Sequence, residues 1–459
     1  MNHPRFHRLS RRLALALAVA APVLPLLAQG GALPAVPNLA RTGSYGIVAL
    51  NNTNSIRIIN TGNWTISEPM LTGQLGSFGG GLFDVVVTPD GRTALVSNFG
   101  DSQVHFLDMS NPTLPTVKGV YDVGFFAEDM DITPDGKYAL VTDGGFSPKI
   151  AVINIAERSG QTYSFTFSGN AGTEDQMISC QAVSIMADGE TVLCPNYFSG
   201  TLHVFRLHAD GSVAHTQTLP LPLKYPVAPE ELRTLPAIPG PMPNRSVNVA
   251  VSPDGIHAAV LGFSVANNPA DPFRSGPTVF LYKRVAPGEL VALGDNGVEF
   301  SGRNAQSAVF SPDGKRLYVS ATNVIYPPPI VPPPPATPPP TTQTWVRIFN
   351  VVGDAVVLDT DVELPGRGSS GLFGVDTIAV DQSGQFVFLT NPTVSGGLAR
   401  IDVVSAITKS YYRSFVLPDQ TYTNYYLYLP EHLRPAPLTE TVRPIPTGIA
   451  FTRGPRITR

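Results

Sequence analysis

One turn recurs along this chain and limits what it can fold into. "VTPDGRTALVSN" begins at Val87, "ITPDGKYALVTD" at Ile132, "VSPDGIHAAVLG" at Val251 and "FSPDGKRLYVSA" at Phe310. Two weaker copies, "IMADGETVLCPN" from Ile185 and "VDQSGQFVFLTN" from Val380, follow the same outline. In the stronger copies Pro presets φ at the first turn position and Gly accepts a left-handed backbone. The preceding Thr or Ser, and the Asp, can bond local amides. Runs of Val, Ile, Leu, Phe and Ala flank each turn, so every copy predicts a β-hairpin.

A third strand and usually a fourth come after each hairpin. Ser102 to Met109 and Thr116 to Val123 follow the first, and Gly200 to Leu207 and Ser212 to Leu219 follow the "MADGE" turn. Thr278 to Arg284 and Glu289 to Asp295 follow the Pro253 turn. The unit is a four-stranded antiparallel meander. Strands this apolar need cover on both faces, which the stacked blades of a propeller supply. The composition agrees: 14% charged and 43% hydrophobic residues, with 42 Gly and 45 Pro, suit short buried strands joined by turns. Length alone, at 459 residues, would suggest two or three domains, but a repeat array can extend as one unit.

The two ends of the repeat region complete the count. Ser44 to Leu71 reads as strands two, three and four of a blade, and Pro446 to Gly454 as a lone first strand. Joined, they make a seventh blade. The expected fold is all-β, a seven-bladed propeller of four-stranded antiparallel blades, closed by the C-terminal strand lying inside the N-terminal ones. That closure removes two open sheet edges.

"TPDGKYALVTD", "SPDGKRLYVSA" and "VTPDGRTALVSNFGDSQVHFLDM" resemble repeats of the YVTN-type, lactonase-like seven-bladed propellers, over most of the chain. The resemblance is to a fold. It implies hydrolysis of a sugar lactone as one candidate activity. Channels of the cytosolic sugar lactonases pair acidic, basic and histidine groups, whereas no histidine here falls on an innermost strand.

Residues 1–30 read as an export signal peptide, with Arg5, Arg8, Arg11 and Arg12 before an apolar run, Leu13 to Ala28, broken by Pro22 and Pro25. A retained anchor is the alternative, and "SRRLALAL" leaves the Sec and twin-arginine routes both open. Residues 31–459 are expected to form a single propeller, periplasmic or secreted, without a membrane span and monomeric. Loss of the four arginines takes the net charge from −4 to −8, so nucleic acid is not an expected partner. Cys180 and Cys194 flank one hairpin turn, on adjacent strands and one face, either directly opposite or diagonal by two. In an oxidising compartment they can bridge; otherwise they are two buried thiols.

Every long connection falls on one face of the disc. These include Lys224 to Ser246, Ser264 to Pro277, a Pro-rich insertion at 324–343 and a Tyr-rich insertion at 419–443 with Tyr422, Tyr425, Tyr426 and Tyr428. Scaffolds carry function on such loops, which makes this face the place for a protein partner or a small polar ligand. Innermost strands open from the same face. Aligned on their turns they place Asp84, Asp129, Ala182, Asn248, Ser307, Thr377 and Gly448 at one level of the channel. Glu128, Gln181, Gln306, Asp376 and Thr447 stand one residue earlier. Such carboxylates can converge on a cation such as Ca²⁺, a sugar or a polar small molecule, or they can simply line water. No metal-site spacing stands out.

Among basic groups, His105 and His203 align with Arg57, Arg347 and Arg400 on third strands, a blade-packing pattern. His432 overhangs the looped face, and Arg245, Arg303 and Arg367 can approach it as anion holders. The sequence thus favours a binding or interaction scaffold working through the looped face and polar channel. A lactonase-like hydrolase using acidic channel residues is the alternative.

Overall fold

In a computed structural model the turn motif appears where a ring of blades needs it. The structure describes residues 44–72, 81–144, 147–165, 180, 182–196, 200–221, 245–265, 275–299, 304–325, 341–365, 377–391, 398–424, 432 and 438–452. Residues 1–30, read from the sequence as an export signal, lie outside this set. Blade 1 runs from the innermost strand Leu82–Val87 through Thr93–Asn98 and Gln103–Asp108 to the outer strand Thr116–Asp122. Blades 2 to 6 repeat the order from innermost strands Ala127–Ile132, Ser184–Ile185, Arg245–Val251, Asn304–Phe310 and Ile378–Val380. Blade 7 joins Pro446–Phe451 to Tyr45–Leu50, antiparallel, with Gly46 opposite Phe451 and Val48 opposite Ile449. The protein is a seven-bladed β-propeller closed in this way.

Burial explains why the strands are apolar on both sides. Seven hydrophobic clusters occupy the seven seams between neighbouring blades. At the seam of blades 1 and 2, Leu95 and Phe106 pack with Met130 and Val141. At the closing seam of blades 6 and 7, the Phe388 and Phe451 rings stand 4.4 Å apart. Each blade is therefore a wedge buried on both faces, as an isolated meander could not be.

The Pro-Asp-Gly turns do more than reverse the chain. The glycines of all six turn copies hold φ between 69° at Gly314 and 75° at Gly189, in the left-handed region. Thr88 Oγ1 donates to Asp90 Oδ1 at 2.6 Å, and Thr133 does the same to Asp135. Each turn also leans on the one before it. A Cβ at Gly136 would lie 3.3 Å from Pro89, and one at Gly384 would lie 3.2 Å from Pro312. Pro and Gly recur together because the Pro of one blade packs on the Gly of the next.

Several details differ from the sequence reading. The outer strand of blade 7 splits into Thr65–Ile66 and Met70–Leu71 on either side of Pro69, which has no N–H to give the ladder. In blade 5 the strands Arg316–Ile325 and Thr341–Val352 run into both ends of the stretch read as a Pro-rich insertion. Residues 326–340 lie outside the described set. Within the Tyr-rich stretch, Gln420–Asn424 pairs with Leu438–Val442 as an extra two-stranded ribbon. The aligned position on blade 6 belongs to Asp402, which faces Leu389, and not to Arg400. Arg400 stands two residues earlier and reaches Asp402 through Nε at 2.9 Å.

Candidate functional site

The channel rim is built on a bulge. Leu82 pairs with Asn98 and Val85 with Val96, so Ser97 alone faces both Phe83 and Asp84. The same slip occurs between Ala127 and Met130 in blade 2, between Ser246 and Asn248 in blade 4, and between Ala305 and Ala308 in blade 5. A regular strand would send Glu128 and Asp129 to opposite faces; a bulge releases both from that alternation. A hydroxyl fills the gap. Ser97 Oγ accepts the Asp84 N–H at 2.8 Å, Ser320 Oγ the Ser307 N–H at 3.0 Å and Thr390 Oγ1 the Thr377 N–H at 2.9 Å. Those are the Ser and Thr of "LVSN", "YVSA" and "FLTN", so the motif records a bulge and its plug.

The ring of polar side chains then ties each blade to the next. Asp84 Oδ2 accepts the Met130 N–H at 3.0 Å, and Asp129 Oδ2 accepts the Val183 N–H at 2.6 Å. Asn248 Oδ1 accepts the Ala308 N–H at 3.2 Å, and Ser307 Oγ accepts the Ile378 N–H at 3.4 Å. Thr377 Oγ1 donates to the Thr447 carbonyl. Asp131, which the sequence alignment passed over, accepts the Ile185 N–H at 2.8 Å. It sits two residues beyond Asp129, on the same side of the strand, and that spacing was the available clue. Gly448 completes the ring by having no side chain, since a Cβ there would stand 2.8 Å from both the Asp84 Cα and the Val85 N.

Blade 3 is the exception. Pro195 occupies the place of the plugging hydroxyl, and Ala182 that of the tie. Here the Cys180–Cys194 disulfide binds the start of the inner strand to the second, with Cα atoms 5.4 Å apart. Cys180 bridges to Asn196, so the two cysteines are diagonal by two. Ser184 Oγ adds a hydrogen bond to the Val249 carbonyl at 2.9 Å.

Charge at the rim is all of one sign among the described residues that face one another there. Burial pushes the Asp84 carboxyl up to about 7, against the pull of hydrogen bonds from backbone amides and from Asp129. Burial, with Asp84 as the nearest negative neighbour, also carries Asp129 well above the usual carboxylate range. Glu128 is raised to about 8 by burial and by Asp143. Each of the three keeps part of its surface accessible. Among the described residues no three His, Cys, Asp or Glu side chains are arranged to hold a metal ion. Gln181 and Asp376 lie outside the described residues, as do Arg303 and Arg367. Gln306 and Arg245 lie on innermost strands, and His432 is exposed.

Third-strand histidines are remote from this chemistry. His105 Nδ1 meets the Thr72 carbonyl at 2.8 Å, and His203 Nδ1 meets Thr218 Oγ1 at 3.1 Å. Burial pushes His203 down to about 3 and lowers His105. Arg57 Nη1 donates to the Ser67 carbonyl at 2.9 Å, and Arg347 pairs with Asp361. All serve packing inside the blades.

Comparison with solved structures places the fold among known propellers. A protein of unknown function from Desulfotomaculum acetoxidans matches with a TM-score of 0.59 and 16% identity, over 89% of this chain and 99% of its own. The periplasmic gluconolactonase PpgL of Pseudomonas aeruginosa matches with a TM-score of 0.56 and 13% identity, over 89% and 99%. A protein from Bacteroides uniformis, provisionally named a 6-phosphogluconolactonase, gives 0.56 and 11% over the same shares. No known protein family and no curated protein matches the sequence. Identities this low establish a shared propeller fold, which hosts many activities.

Proposed function

We propose that this protein is a binding or interaction scaffold that works through the looped face and the mouth of the acidic channel. One observation carries the reading. Asp84, Asp129 and Asp131 each accept a backbone N–H from the next blade, so the carboxylates most central to the channel hold the ring together. A general acid or base must be free to exchange its proton with a substrate. The strand ends that lead into the long connections lie on the opposite side from the Pro-Asp-Gly turns, and loops on such a face are where scaffolds meet a ligand or partner.

Export to the periplasm or outside the cell belongs to the same proposal, with residues 31–459 as the single exported body, acting as a monomer. The Cys180–Cys194 disulfide favours an oxidising compartment. Among the described residues no helix is long and apolar enough to cross a membrane. Fractionation of the producing cell, followed by N-terminal sequencing of the mature chain, tests this directly.

The second reading, a lactonase-like hydrolase, draws support from the Asp84 and Asp129 pair. Two carboxyls joined by a hydrogen bond, one of them near 7, suit proton transfer at neutral pH. The architecture shared with the Pseudomonas gluconolactonase points the same way. One experiment separates the two readings: gluconolactone turnover by the wild type and by Asp129→Asn, set beside partner capture after deletion of 326–340 or 425–437. Turnover lost in Asp129→Asn with capture unchanged by either deletion would replace the scaffold by the hydrolase.

A further inference from the structure

Three phenylalanine rings run outward from the channel rim at the seam of blades 1 and 2. Phe83 lies 5.8 Å from Phe99, and Phe99 stacks almost parallel on Phe126 at 4.9 Å and 14°. Phe99 follows the second strand of blade 1 and Phe126 precedes the innermost strand of blade 2, so both belong to the looped face. Phe126 has 47% of its surface exposed. A lone exposed aromatic needs no explanation. This one continues a stack that leads to an acid.

That acid is Glu128. The Phe99 ring edge and the Glu128 carboxyl converge on Gly144, where a Cβ would meet them at 2.5 Å and 2.7 Å. Asp84, Asp129 and Asp131 are engaged with backbone amides of the next blade. Glu128 Oε2 is buried and receives no hydrogen bond from the described residues. Its charged neighbours, Asp143 and Asp129, are themselves acids. An aromatic face, an uncommitted carboxyl and a mouth lined by acids with no described base among them together complement one kind of small molecule.

We propose that this mouth binds an organic ammonium ion, seated on the open face of Phe126 with Glu128 as its counter-charge. The proposal rests on the looped-face reading and gives it a ligand class. It also predicts a proton. Burial holds Glu128 protonated up to about 8, so an entering ammonium ion ionises it and one proton leaves to the buffer for each cation bound. A neutral sugar or lactone would release none.

Choline is a suitable probe for titration calorimetry on the full mature chain at pH 7, repeated in two buffers of different ionisation heat. The expected result is saturable binding whose heat shifts between buffers by nearly one proton. Phe126→Ala, a change at an exposed ring, should weaken it about tenfold. Glu128→Gln, nearly isosteric, should weaken binding and remove the buffer dependence. Choline binding untouched by both substitutions would overturn the site while leaving the looped face as a binding surface. Gluconolactone bound in place of choline, and lost in the same variants, would overturn the cation and keep the location. Absence of binding by either compound would overturn the proposal, and partner capture by the loop deletions would still test the scaffold separately.

Discussion

Asp129 and Val183 stand on different blades, yet Asp129 Oδ2 accepts the Val183 backbone N–H at 2.6 Å. The bond crosses a seam that side-chain packing alone would leave free to slide. Removing the acceptor leaves a buried donor unsatisfied, so Asp129→Ala should lower stability by about 1–3 kcal/mol in urea unfolding. Asp129→Asn should cost much less, because Asn248 makes the equivalent bond to Ala308 two blades further on. Equal midpoints for Ala and wild type would show that the bond ties nothing.

The disulfide should matter more than its place in one short hairpin suggests. Its sequence separation is 14, and closing a loop of that size in the unfolded chain is worth about 3 kcal/mol. Reductant should lower the urea midpoint accordingly. In a variant with both cysteines changed to Ala, Pro195→Thr should recover part of the loss by restoring the hydroxyl plug of the other blades. A further loss on adding Pro195→Thr would argue that the proline is required by its own backbone geometry.

Stability should fall as the solution becomes alkaline. Asp84 and Glu128 are both raised in the folded state, so between about pH 4 and 8 the folded chain binds more protons than the unfolded one. Their contribution is complete below the unfolded carboxylate range and is lost as pH rises through about 7 and 8. Thermal midpoints at pH 6 should exceed those at pH 9, and Glu128→Gln should flatten the difference. A slope that survives Glu128→Gln unchanged would assign it to other groups.

His257 provides a second titration on the opposite face. Its Nδ1 lies 2.6 Å from Asp254 Oδ2 and its Nε2 2.8 Å from Asp354 Oδ1, clamping blade 4 to blade 5. Burial works against the charged ring, but the hydrogen bonds to both carboxylates outweigh it and raise the imidazole above its ordinary value. The clamp therefore stabilises fully below about pH 6.5 and weakens as pH rises through the folded-state value. The gap between wild type and His257→Gln in thermal midpoint should narrow from pH 5.5 to 8.5. A gap independent of pH would mean that the ring acts by packing alone.

Much of the architecture was legible because it repeats. Six copies of one turn, each flanked by continuously apolar strands, gave the blades, and the mismatched ends gave the closure. Repetition also located Asp84, Asp129, Asn248, Ser307 and Thr377, since alignment on the turn carries across to the rim. It did not reveal what they do. A polar ring on inner strands reads as a channel lining until the register shows a bulge, and only then do the side chains reach the next blade's amides. Asp131 was missed because most blades carry an apolar residue at its level, such as Val86, Ala250 and Val309. Arg400 was misaligned by two because its charge resembles that of Arg347, whereas strand pairing follows position and not charge. The Phe99 and Phe126 stack had no sequence pattern to announce it, for one ring follows a strand and the other precedes the next.

Closure by Pro446–Phe451 has a consequence in time. Ile445 N donates to Asn52 Oδ1 at 2.8 Å across a sequence separation of 393. Blade 7, whose other strands come before blade 1, waits for a strand made after the six other blades. A ribosome releasing this chain holds an unfinished circle until then, with both end blades bare and their strand edges open to any passing partner. The interval before that strand arrives is the one in which open edges can pair with the wrong partner, and its arrival shuts both at once.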